Sequence, residues 1–300
     1  MKKELPKVVV VCGPTATGKS DLAVLLALRF DGEVVSADSR QVYRGLDTGA
    51  GKITESEMKG VRHHLLDVAD PAKARYSVED FQREASVAIE DIISRGKLPI
   101  ICGGTGFYID TLIYGTQFPS VKPNKKLREE LAKESCEDLM KKLAKLDSKR
   151  ARSIDPYNKV RIIRAIEIAM ALGNVPKAKR TKRFKTLWIG LTADRETLQQ
   201  KIYTRLEKRM EGEAMEKEVK HLHDRGVSWK RLYEFGLEYR HVAQYVQKKV
   251  TKDEMISRLK IEIVQFAKRQ MTWFSREKAI RWFNPSQTTE IESAVREFLA

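Results

Sequence analysis

Short apolar runs alternate with amphipathic stretches along the first third of this 300-residue chain. The runs Lys7–Cys12, Glu33–Asp38 and Leu98–Cys102 are rich in β-branched and other apolar residues, as buried strands are. Between the first two, Asp21–Phe30 has enough apolar positions for a buried helix. Strands that alternate with helices predict an α/β fold, with a parallel sheet flanked by helices.

Two later helices are predicted from their start signals. Ser77 and Asp80 form a capping box ahead of a period-3.6 pattern that continues to a C-cap glycine, Gly96. Thr251 and Glu254 form a second capping box, ahead of a helix that continues to Phe274. Both helices therefore have defined first turns.

The pattern changes to charged, helical sequence between about Phe118 and Lys185. Two helices are expected here, Lys126–Asp147 and Val160–Gly173. A strand resumes at Thr186–Leu191, and a further strand and a closing helix end the chain. We therefore predict a core made of residues 1–116 and 186–300, with a helical insertion at residues 117–185.

Composition places the chain among globular proteins of the cytoplasm. Hydrophobic residues make up 42%, and no apolar run approaches the ~18 residues that cross a bilayer. The basic start and its apolar run lack a small-residue cleavage site, so they are interpreted as a first strand rather than a signal peptide. Three cysteines without C-x-x-C spacing indicate neither a disulfide framework nor a zinc site. We expect a monomer with no membrane partner.

The strongest motif is GPTATGKS, directly after the first strand and before the first helix. Strand, glycine-rich turn and helix are the context that a phosphate-binding loop requires. Its backbone N–H groups converge on phosphate oxygens, Lys19 reaches the terminal phosphate, and the Ser20 hydroxyl ligates Mg²⁺. The predicted phosphate site consists of Gly13, Pro14, Thr15, Ala16, Thr17, Gly18, Lys19 and Ser20.

Charge is distributed unevenly along the chain. Residues 1–116 hold 15 Lys/Arg and 16 Asp/Glu, whereas residues 117–300 hold 42 and 25. Such a basic field favours a polyanionic partner, because binding releases counterions. The run Lys177–Lys185 has six basic residues in nine, and its basic surroundings favour nucleic-acid contact over a solvated loop.

Polar residues follow three of the predicted strands: the phosphate loop, Asp38 in DSRQ and Thr105 in GGTG. Ligands of doubly wound sheets bind at the carboxyl ends of strands, so these residues are expected in one crevice. Asp38 suits two roles, a residue that organises Mg²⁺ or water, or a base that accepts a proton from an amine. Spacing alone leaves both open.

Seven segments occur in one order along the chain: GPTATGKS, DSRQVYRGLDTGAGK, HHLLD, YSVEDF, LPIICGGTGFY, VRIIRAIE and AKRQMTWF. In this order they resemble the tRNA dimethylallyltransferase (tRNA isopentenyltransferase) family along essentially the whole chain. The resemblance implies a P-loop NTPase-like core with an inserted helical tRNA-binding domain. It implies transfer of a dimethylallyl group from dimethylallyl diphosphate to N6 of adenosine 37 in tRNA, with Mg²⁺.

The resemblance also implies roles for individual residues. Asp38 would accept the N6 proton, Thr105 would donate to the bridging oxygen of the leaving group, and Lys19 would stabilise the departing diphosphate. The target base would be extruded from the anticodon stem-loop. Residues implied to contact tRNA are Asp38, Ser39, Arg40, Gln41, Thr105, Arg128, Val160, Arg161, Ile162, Ile163, Arg164, Arg240, Lys268, Arg269 and Gln270.

Two segments depart from the family pattern. Tyr157, Asn158 and Val160 stand where the family usually has Asn-Asp and Gln, and Gly236–Val242 replaces a Gly-Tyr-Lys/Arg-Glu motif. Both are expected to affect substrate choice more than reaction type. The rival functions are a small-molecule kinase, an isopentenyltransferase acting on free adenine nucleotides, and an RNA-binding module. The first two have no need of the basic region, and the third does not explain a complete phosphate loop.

Overall fold

A parallel six-stranded sheet forms the centre of the computed structural model, which describes residues 4–73 and 75–300. The strand order is β3-β2-β4-β1-β5-β6. The strands are β1 (Lys7–Cys12), β2 (Gly32–Ser36), β3 (His63–His64), β4 (Leu98–Gly103), β5 (Lys185–Leu191) and β6 (Ile280–Phe283). The predicted α/β fold with a parallel sheet flanked by helices is confirmed.

Helices occupy most of the remaining described chain. They are α1 (Lys19–Arg29), α2 (Glu55–Met58), α3 (Val78–Ser94), α4 (Gly106–Ile113), α5 (Lys125–Leu131), α6 (Cys136–Leu146), α7 (Ser148–Ser153), α8 (Lys159–Leu172), α9 (Arg195–Met210), α10 (Ala214–Asp224), α11 (Trp229–Phe235), α12 (Leu237–Val246), α13 (Lys252–Phe274) and α14 (Thr288–Leu299). The capping boxes predicted for α3 and α13 are confirmed. Gly96 lies one residue beyond the cap of α3, at a φ of +73°.

The valine run of β1 is buried on both faces of the sheet. Val8 and Val10 belong to a hydrophobic cluster that includes side chains of α3. Val9 and Val11 belong to a second cluster, together with side chains of α1. Since both faces are covered by helices, the strand is continuously apolar rather than alternating.

Three neighbouring strands end at the same edge of the sheet. In the register of the central strands, Cys12 pairs with Gly103 and Ser36 pairs with Cys102. The phosphate loop follows β1, Asp38 follows β2 and Thr105 follows β4, so the three lie at one edge. This convergence is the one predicted from the sequence.

The chain divides into two compact units, the first comprising the chain up to Tyr114 and Lys182–Ala300. The second, Gly115–Thr181, contains α5 to α8 around the apolar side chains of Leu131, Leu139, Leu143, Ile154, Ile162, Ile163, Ala165 and Ile166. The predicted domain boundary at residue 185 falls inside the sheet, because Lys185 begins β5 and its N–H donates to Pro6 O.

The prediction of one continuous helix over Lys126–Asp147 was wrong. Helix α5 ends at Leu131, and α6 begins at Cys136 with Ser135 as its N-cap. The Ser135 hydroxyl accepts from the Asp138 N–H at 3.1 Å. This cap satisfies an N–H group that has no partner in a helix's first turn. No helix of the described residues is long and apolar enough to cross a membrane.

Candidate active site

A cavity of about 1000 Å³ opens at the edge of the sheet where β1, β2 and β4 end. Its lining includes the phosphate loop, Asp38, Thr105 and the loop Asp47–Gly51. Side chains of α9 and α13 complete the wall. All of these residues belong to the first unit of the chain.

The phosphate loop Gly13–Ser20 has the backbone geometry that its glycines predict. Gly13 has a φ of +136°, and a Cβ atom there would lie 2.3 Å from Leu191 O, so only glycine fits. Gly18, at a φ of +80°, is the N-cap of α1. The first N–H groups of α1 and its positive dipole end therefore lie at the cavity.

Lys19 is half-buried beside the loop, where its ammonium donates to Pro14 O at 2.6 Å. Burial is the main cause that lowers the pKa of Lys19 to about 8, and the nearby Arg205 guanidinium lowers it further. Desolvation disfavours the charged form of an amine. The cavity therefore holds cationic groups that an anion would stabilise.

The loops that carry Asp38 and Thr105 are joined by two hydrogen bonds. The Ser39 N–H donates to Thr105 Oγ1 at 3.1 Å, and the Thr105 N–H donates to Ala37 O at 3.2 Å. A Cβ atom at Gly103 would lie 2.2 Å from Ala37 O, so this close approach requires glycine. Thr105 lines the cavity, and a hydroxyl that accepts one bond keeps its O–H proton to donate to a ligand there.

The Asp38 carboxylate is oriented by its own turn. Its Oδ1 accepts from the Arg40 N–H at 2.8 Å, the hydrogen bond of an Asx-turn. This bond fixes one carboxylate oxygen and the direction of the side chain. The sequence therefore brings Asp38 and Thr105 together as predicted, on loops that follow adjacent strands.

Gln270, predicted as a tRNA contact, lies buried between the two phosphate-side loops. The Thr15 N–H donates to its Oε1 at 2.9 Å, and its Nε2 donates to Gly104 O at 3.0 Å. A Cβ atom at Gly104 would lie 2.2 Å from the Gln270 nitrogen. The side chain thus holds the GPTATGKS and GGTG loops at a fixed separation.

Two arginines of α9 line the cavity but were not predicted as site residues from the sequence. Arg205 donates to Thr15 Oγ1 at 3.0 Å and to Gly51 O at 3.3 Å. Arg209 pairs with Glu238 at 3.2 Å. Burial lowers the pKa of Arg205 to about 10, and Arg209 lowers it further. Their i,i+4 spacing was the only available signal, and it places them on one helix face.

Other predicted tRNA contacts of the first unit lie at its surface. A Cβ atom at Gly236 would lie 3.6 Å from Arg240 Nη2 and 3.8 Å from Arg40 Nη2, so these two guanidinium groups are neighbours. Lys268 and Arg269 are exposed on α13. The remaining two predicted contacts of this unit are Ser39 and Gln41.

Ser39 is half-buried, and the Gln41 side chain forms its hydrogen bonds within the protein. The Gln41 amide accepts from Ser36 Oγ at 3.2 Å and donates to Gly51 O at 3.1 Å. Its amide groups are therefore already satisfied by the loops that line the cavity.

In the insertion, the predicted contacts divide by burial. Val160 is 76% exposed and Arg161 is exposed, so both are available to a ligand. Ile162 and Ile163 are corrected, because they are 0% and 9% exposed in the core of the insertion. We therefore exclude these two side chains from the tRNA contacts.

Arg128 and Arg164, also predicted to contact tRNA, both bind the buried Glu167 carboxylate. Arg128 donates to Glu167 through Nε at 3.0 Å and Nη2 at 2.7 Å, and Arg164 Nη1 donates to Oε2. The Asn124 N–H also donates to Glu167, to Oε1 at 2.6 Å. Burial alone would raise the pKa of Glu167, but these hydrogen bonds lower it to about 2. The two arginines thus have a structural partner within the insertion.

Replacing Glu167 with glutamine is expected to lower the stability of the insertion by about 1.5–3 kcal/mol at pH 7, since charge-assisted bonds are lost. The folded-state pKa of Glu167 lies below the usual carboxyl value. Its stabilisation is therefore complete above about pH 4.5 and declines as the pH falls toward about 2. Urea denaturation, monitored through hydrogen exchange of the α8 amides, measures this difference in stability. An unchanged exchange rate in α8 at pH 7 would contradict the prediction.

A divalent cation in this cavity would be held by oxygen ligands. Ser20, the motif's cation ligand, lines the cavity together with Asp21 and Asp38. These are hard oxygen donors, which fit Mg²⁺ when diphosphate oxygens complete its shell. No group of three or more His, Cys, Asp or Glu that could hold a metal exists among residues 4–73 and 75–300.

Comparison with known proteins identifies the family. The model of the IPP transferase family matches residues 41–277. A tRNA dimethylallyltransferase of Anoxybacillus flavithermus is 39% identical over 298 residues, which cover 98% of this chain and 95% of that protein. Another, from Shewanella sediminis, is 42% identical and covers 89% of this chain and 88% of that protein.

Solved structures lead to the same family. The tRNA isopentenylpyrophosphate transferase of Bacillus halodurans has a TM-score of 0.75 at 37% identity, covering 98% of this chain and 96% of that one. A eukaryotic dimethylallyltransferase acting on tRNA has a TM-score of 0.81 at 27% identity, covering 97% and 77%. The phosphate loop precedes the matched residues of the family model, but lies within the near-complete coverage of these structures. The chain belongs to the IPP transferase family.

Proposed function

We propose that this enzyme transfers a dimethylallyl group from dimethylallyl diphosphate to N6 of adenosine 37 in tRNA, with release of diphosphate. The observation that carries the proposal is the cavity that combines a phosphate loop with Asp38 and Thr105 on linked neighbouring loops. Family membership supports transfer to tRNA.

The diphosphate would bind in the phosphate loop. Lys19 and the N-terminus of α1 line the cavity, and Arg205 approaches the loop through its bond to Thr15. These cations stabilise negative charge that increases as the C–O bond to the diphosphate breaks. Thr105, whose hydroxyl proton is available, would donate to the oxygen that leaves with the diphosphate.

Mg²⁺, held by Ser20 and diphosphate oxygens, would supply further neutralisation of the leaving group. This neutralisation would add to the charge stabilisation by Lys19, Arg205 and the α1 N–H groups, which belong to the chain itself. Asp38 lines the same cavity, so a diphosphate held by these groups would have Asp38 within the same site.

Asp38 would act as the base toward adenine. The N6 amine of adenine is a weak nucleophile because its lone pair is delocalised into the ring. Asp38 Oδ1 is fixed by the Arg40 N–H, so the second oxygen is the one assigned to accept the N6 proton as the new C–N bond forms. The base must leave the anticodon loop stack to reach this cavity.

The tRNA backbone would be held by basic surfaces of both units. In the first unit, the guanidinium groups of Arg40 and Arg240 both lie near Gly236, and Lys268 and Arg269 are exposed. The insertion, residues 115–181, holds 17 Lys/Arg against 8 Asp/Glu, and Arg161 is exposed. Phosphate contacts of this kind supply affinity and orientation, whereas the cavity selects the base.

The proposal is tested by exchanging donor and acceptor. The protein is incubated with dimethylallyl diphosphate or ATP as donor, and with tRNA or adenosine monophosphate as acceptor. Mass spectrometry of the nucleosides should find N6-dimethylallyladenosine only with dimethylallyl diphosphate and tRNA. Prenylated adenosine monophosphate would instead support the nucleotide-directed class, and phosphorylated products from ATP would support a kinase.

Alkaline pH is expected to weaken binding of dimethylallyl diphosphate. Burial lowers the pKa of Lys19 to about 8, so above that pH binding to the charged form must be accompanied by proton uptake. The Kd should be constant below about pH 7 and rise by up to about tenfold per pH unit above about 8. Calorimetry in buffers of different ionisation enthalpy measures both the Kd and the proton uptake.

Lys19→Arg is the matched control for this pH dependence, because a guanidinium stays charged throughout this range. The variant should bind less tightly, owing to its different shape, but without the alkaline loss. A wild-type Kd that stays constant to pH 9.5 would contradict the assignment of Lys19 to the diphosphate.

A further inference from the structure

One loop of the cavity is held by a carboxylate from a distant helix. The Glu218 side chain, on α10, accepts from three consecutive backbone N–H groups of the loop Asp47–Gly51. The distances are 3.2 Å from Asp47 N, 2.6 Å from Thr48 N and 3.1 Å from Gly49 N. Consecutive N–H groups that converge in this way form an anion-binding concavity. The chain fills this one with its own carboxylate, so it is not a second phosphate site.

Tyr239 completes the attachment of the loop. Its hydroxyl donates to Glu218 Oε1 at 2.7 Å and accepts from the Ala50 N–H at 3.0 Å. The side chain is 2% exposed, and burial next to Glu218 raises its pKa well above the ordinary value. A Cβ atom at Gly49 would lie 2.7 Å from the Tyr239 ring, so the loop requires glycine there. Four successive N–H groups are thus satisfied by two side chains.

The same loop positions an arginine of the diphosphate site. Gly51 O accepts from Gln41 Nε2 at 3.1 Å and from Arg205 Nη2 at 3.3 Å. The other nitrogen of that guanidinium, Nη1, donates to Thr15 Oγ1 in the phosphate loop at 3.0 Å. A Cβ atom at Gly51 would lie 1.6 Å from Arg209 Nη2, so this arginine also packs on the loop.

We propose that Glu218 and Tyr239 are positioning residues that hold the loop Asp47–Gly51, and through Gly51 place Arg205 over the phosphate loop. The inference rests on the proposed function and assigns these two residues to the diphosphate half of the reaction. The hydrogen bonds that the two side chains make among the described residues go to the loop Asp47–Gly51 and to each other, so they act on the phosphate loop through Arg205. The inference also gives a role inside the protein to Gly236–Val242, the segment that differs from the family pattern, because its Tyr239 is buried against this loop.

The structure makes the Glu218→Gln and Tyr239→Phe variants informative. Glutamine keeps the size of the side chain but directs N–H donors toward N–H donors of the loop. Phenylalanine removes only the hydroxyl that joins Glu218 to Ala50. The matched controls are Glu196→Gln, an exposed glutamate on α9, and Tyr233→Phe, whose hydroxyl accepts from Gln247 and Lys249.

Three measurements on the full chain test the proposal: amide exchange of residues 47–50, steady-state kinetics and tRNA affinity. For Glu218→Gln we expect faster exchange and a KM for dimethylallyl diphosphate raised about tenfold or more. The tRNA Kd should stay within about twofold, since neither substitution removes a lysine or arginine of the basic surfaces that would hold the tRNA backbone. Tyr239→Phe should show a smaller change in the same direction, and both controls should match the wild type.

The double variant decides whether the two residues act as one unit. Its KM should equal that of Glu218→Gln within about twofold, because the Ala50 N–H bond that the second substitution removes does not by itself hold the loop once Glu218 is lost. Faster loop exchange with an unchanged KM, or multiplying single effects, would overturn the proposal, as would an equal loss of tRNA affinity. If Glu218→Gln does not fold, Tyr239→Phe provides the same readouts.

The proposal and the proposed function fail in different ways. If the wild type transfers no dimethylallyl group, the proposed function fails. Calorimetric binding of dimethylallyl diphosphate and loop exchange still report on the positioning role in that case. If the wild type is active and neither variant changes the KM, only the positioning role fails.

Discussion

Replacing Asp38 with asparagine is expected to slow the chemical step by about 10²–10⁴-fold, the range for loss of a general base. The amide keeps the shape of the side chain and can still accept from the Arg40 N–H, but it cannot take the N6 proton. Binding of both substrates should change far less. Single-turnover rates with saturating tRNA and dimethylallyl diphosphate measure the chemical step directly.

The competing role for Asp38 is organisation of Mg²⁺. In that account a higher Mg²⁺ concentration should partly restore the rate of Asp38→Asn, since the defect would lie in metal affinity. If Asp38 is the base, the rate of Asp38→Asn stays low across the whole Mg²⁺ series. Ser20→Ala serves as the matched control, because raised Mg²⁺ should partly restore a variant that lacks the metal's own ligand. Restoration of Asp38→Asn by metal would place its carboxylate in the diphosphate site.

Affinity for tRNA is expected to fall by about 10³-fold or more between 50 and 200 mM salt, as for proteins with six to ten phosphate contacts. The residues beyond 116 hold 42 Lys/Arg against 25 Asp/Glu, which provides the required excess. Changing the exposed Lys177, Lys179 and Lys182 to glutamine should reduce the slope of log Kd against log salt by about two. Filter binding over a salt series measures that slope.

The matched control removes the same charge elsewhere, at the exposed Lys230, Lys248 and Lys278. Its slope should stay close to that of the wild type. Arg183 is left out of the tested set, because it donates to Ser86 at 2.7 Å and lies 3.6 Å from Glu90. Equal slopes for the two triple variants would mean that the Lys177–Lys185 run is a solvated linker.

The sheet and the residues at its edge could be predicted because local patterns determine them. The valine run of β1 has to be buried, and the turn after it needs glycine at Gly13 to pass Leu191. Asp38 and Thr105 follow neighbouring strands, so topology alone places them beside the phosphate loop. Each of these features depends on a short stretch of sequence plus the rule that parallel strands end together.

Arg205 and Glu218 could not be predicted in the same way. Arg205 contacts Thr15 across 190 residues, and Glu218 contacts Thr48 across 170 residues. No periodicity of α9 or α10 records which loop each helix faces. Such contacts appear only once the helices pack against the sheet.

Ile162 and Ile163 illustrate the opposite error. Their spacing to Ile166 along α8 is that of an apolar helix face, and all three lie in the core of the insertion. Their prediction as tRNA contacts came from the family resemblance. The periodicity was the better guide, since burial of an apolar face is what holds the insertion together.

The most direct test of the account is to locate the new bond on the RNA. An anticodon stem-loop transcript with adenosine at position 37, and its partner with guanosine there, are each incubated with the protein, Mg²⁺ and isotopically labelled dimethylallyl diphosphate. Fragmentation by mass spectrometry then assigns the label to a nucleotide and an atom. The account predicts one labelled dimethylallyl group on N6 of adenosine 37 and none on the guanosine transcript. Label at another adenosine, or equal labelling of both transcripts, would contradict it.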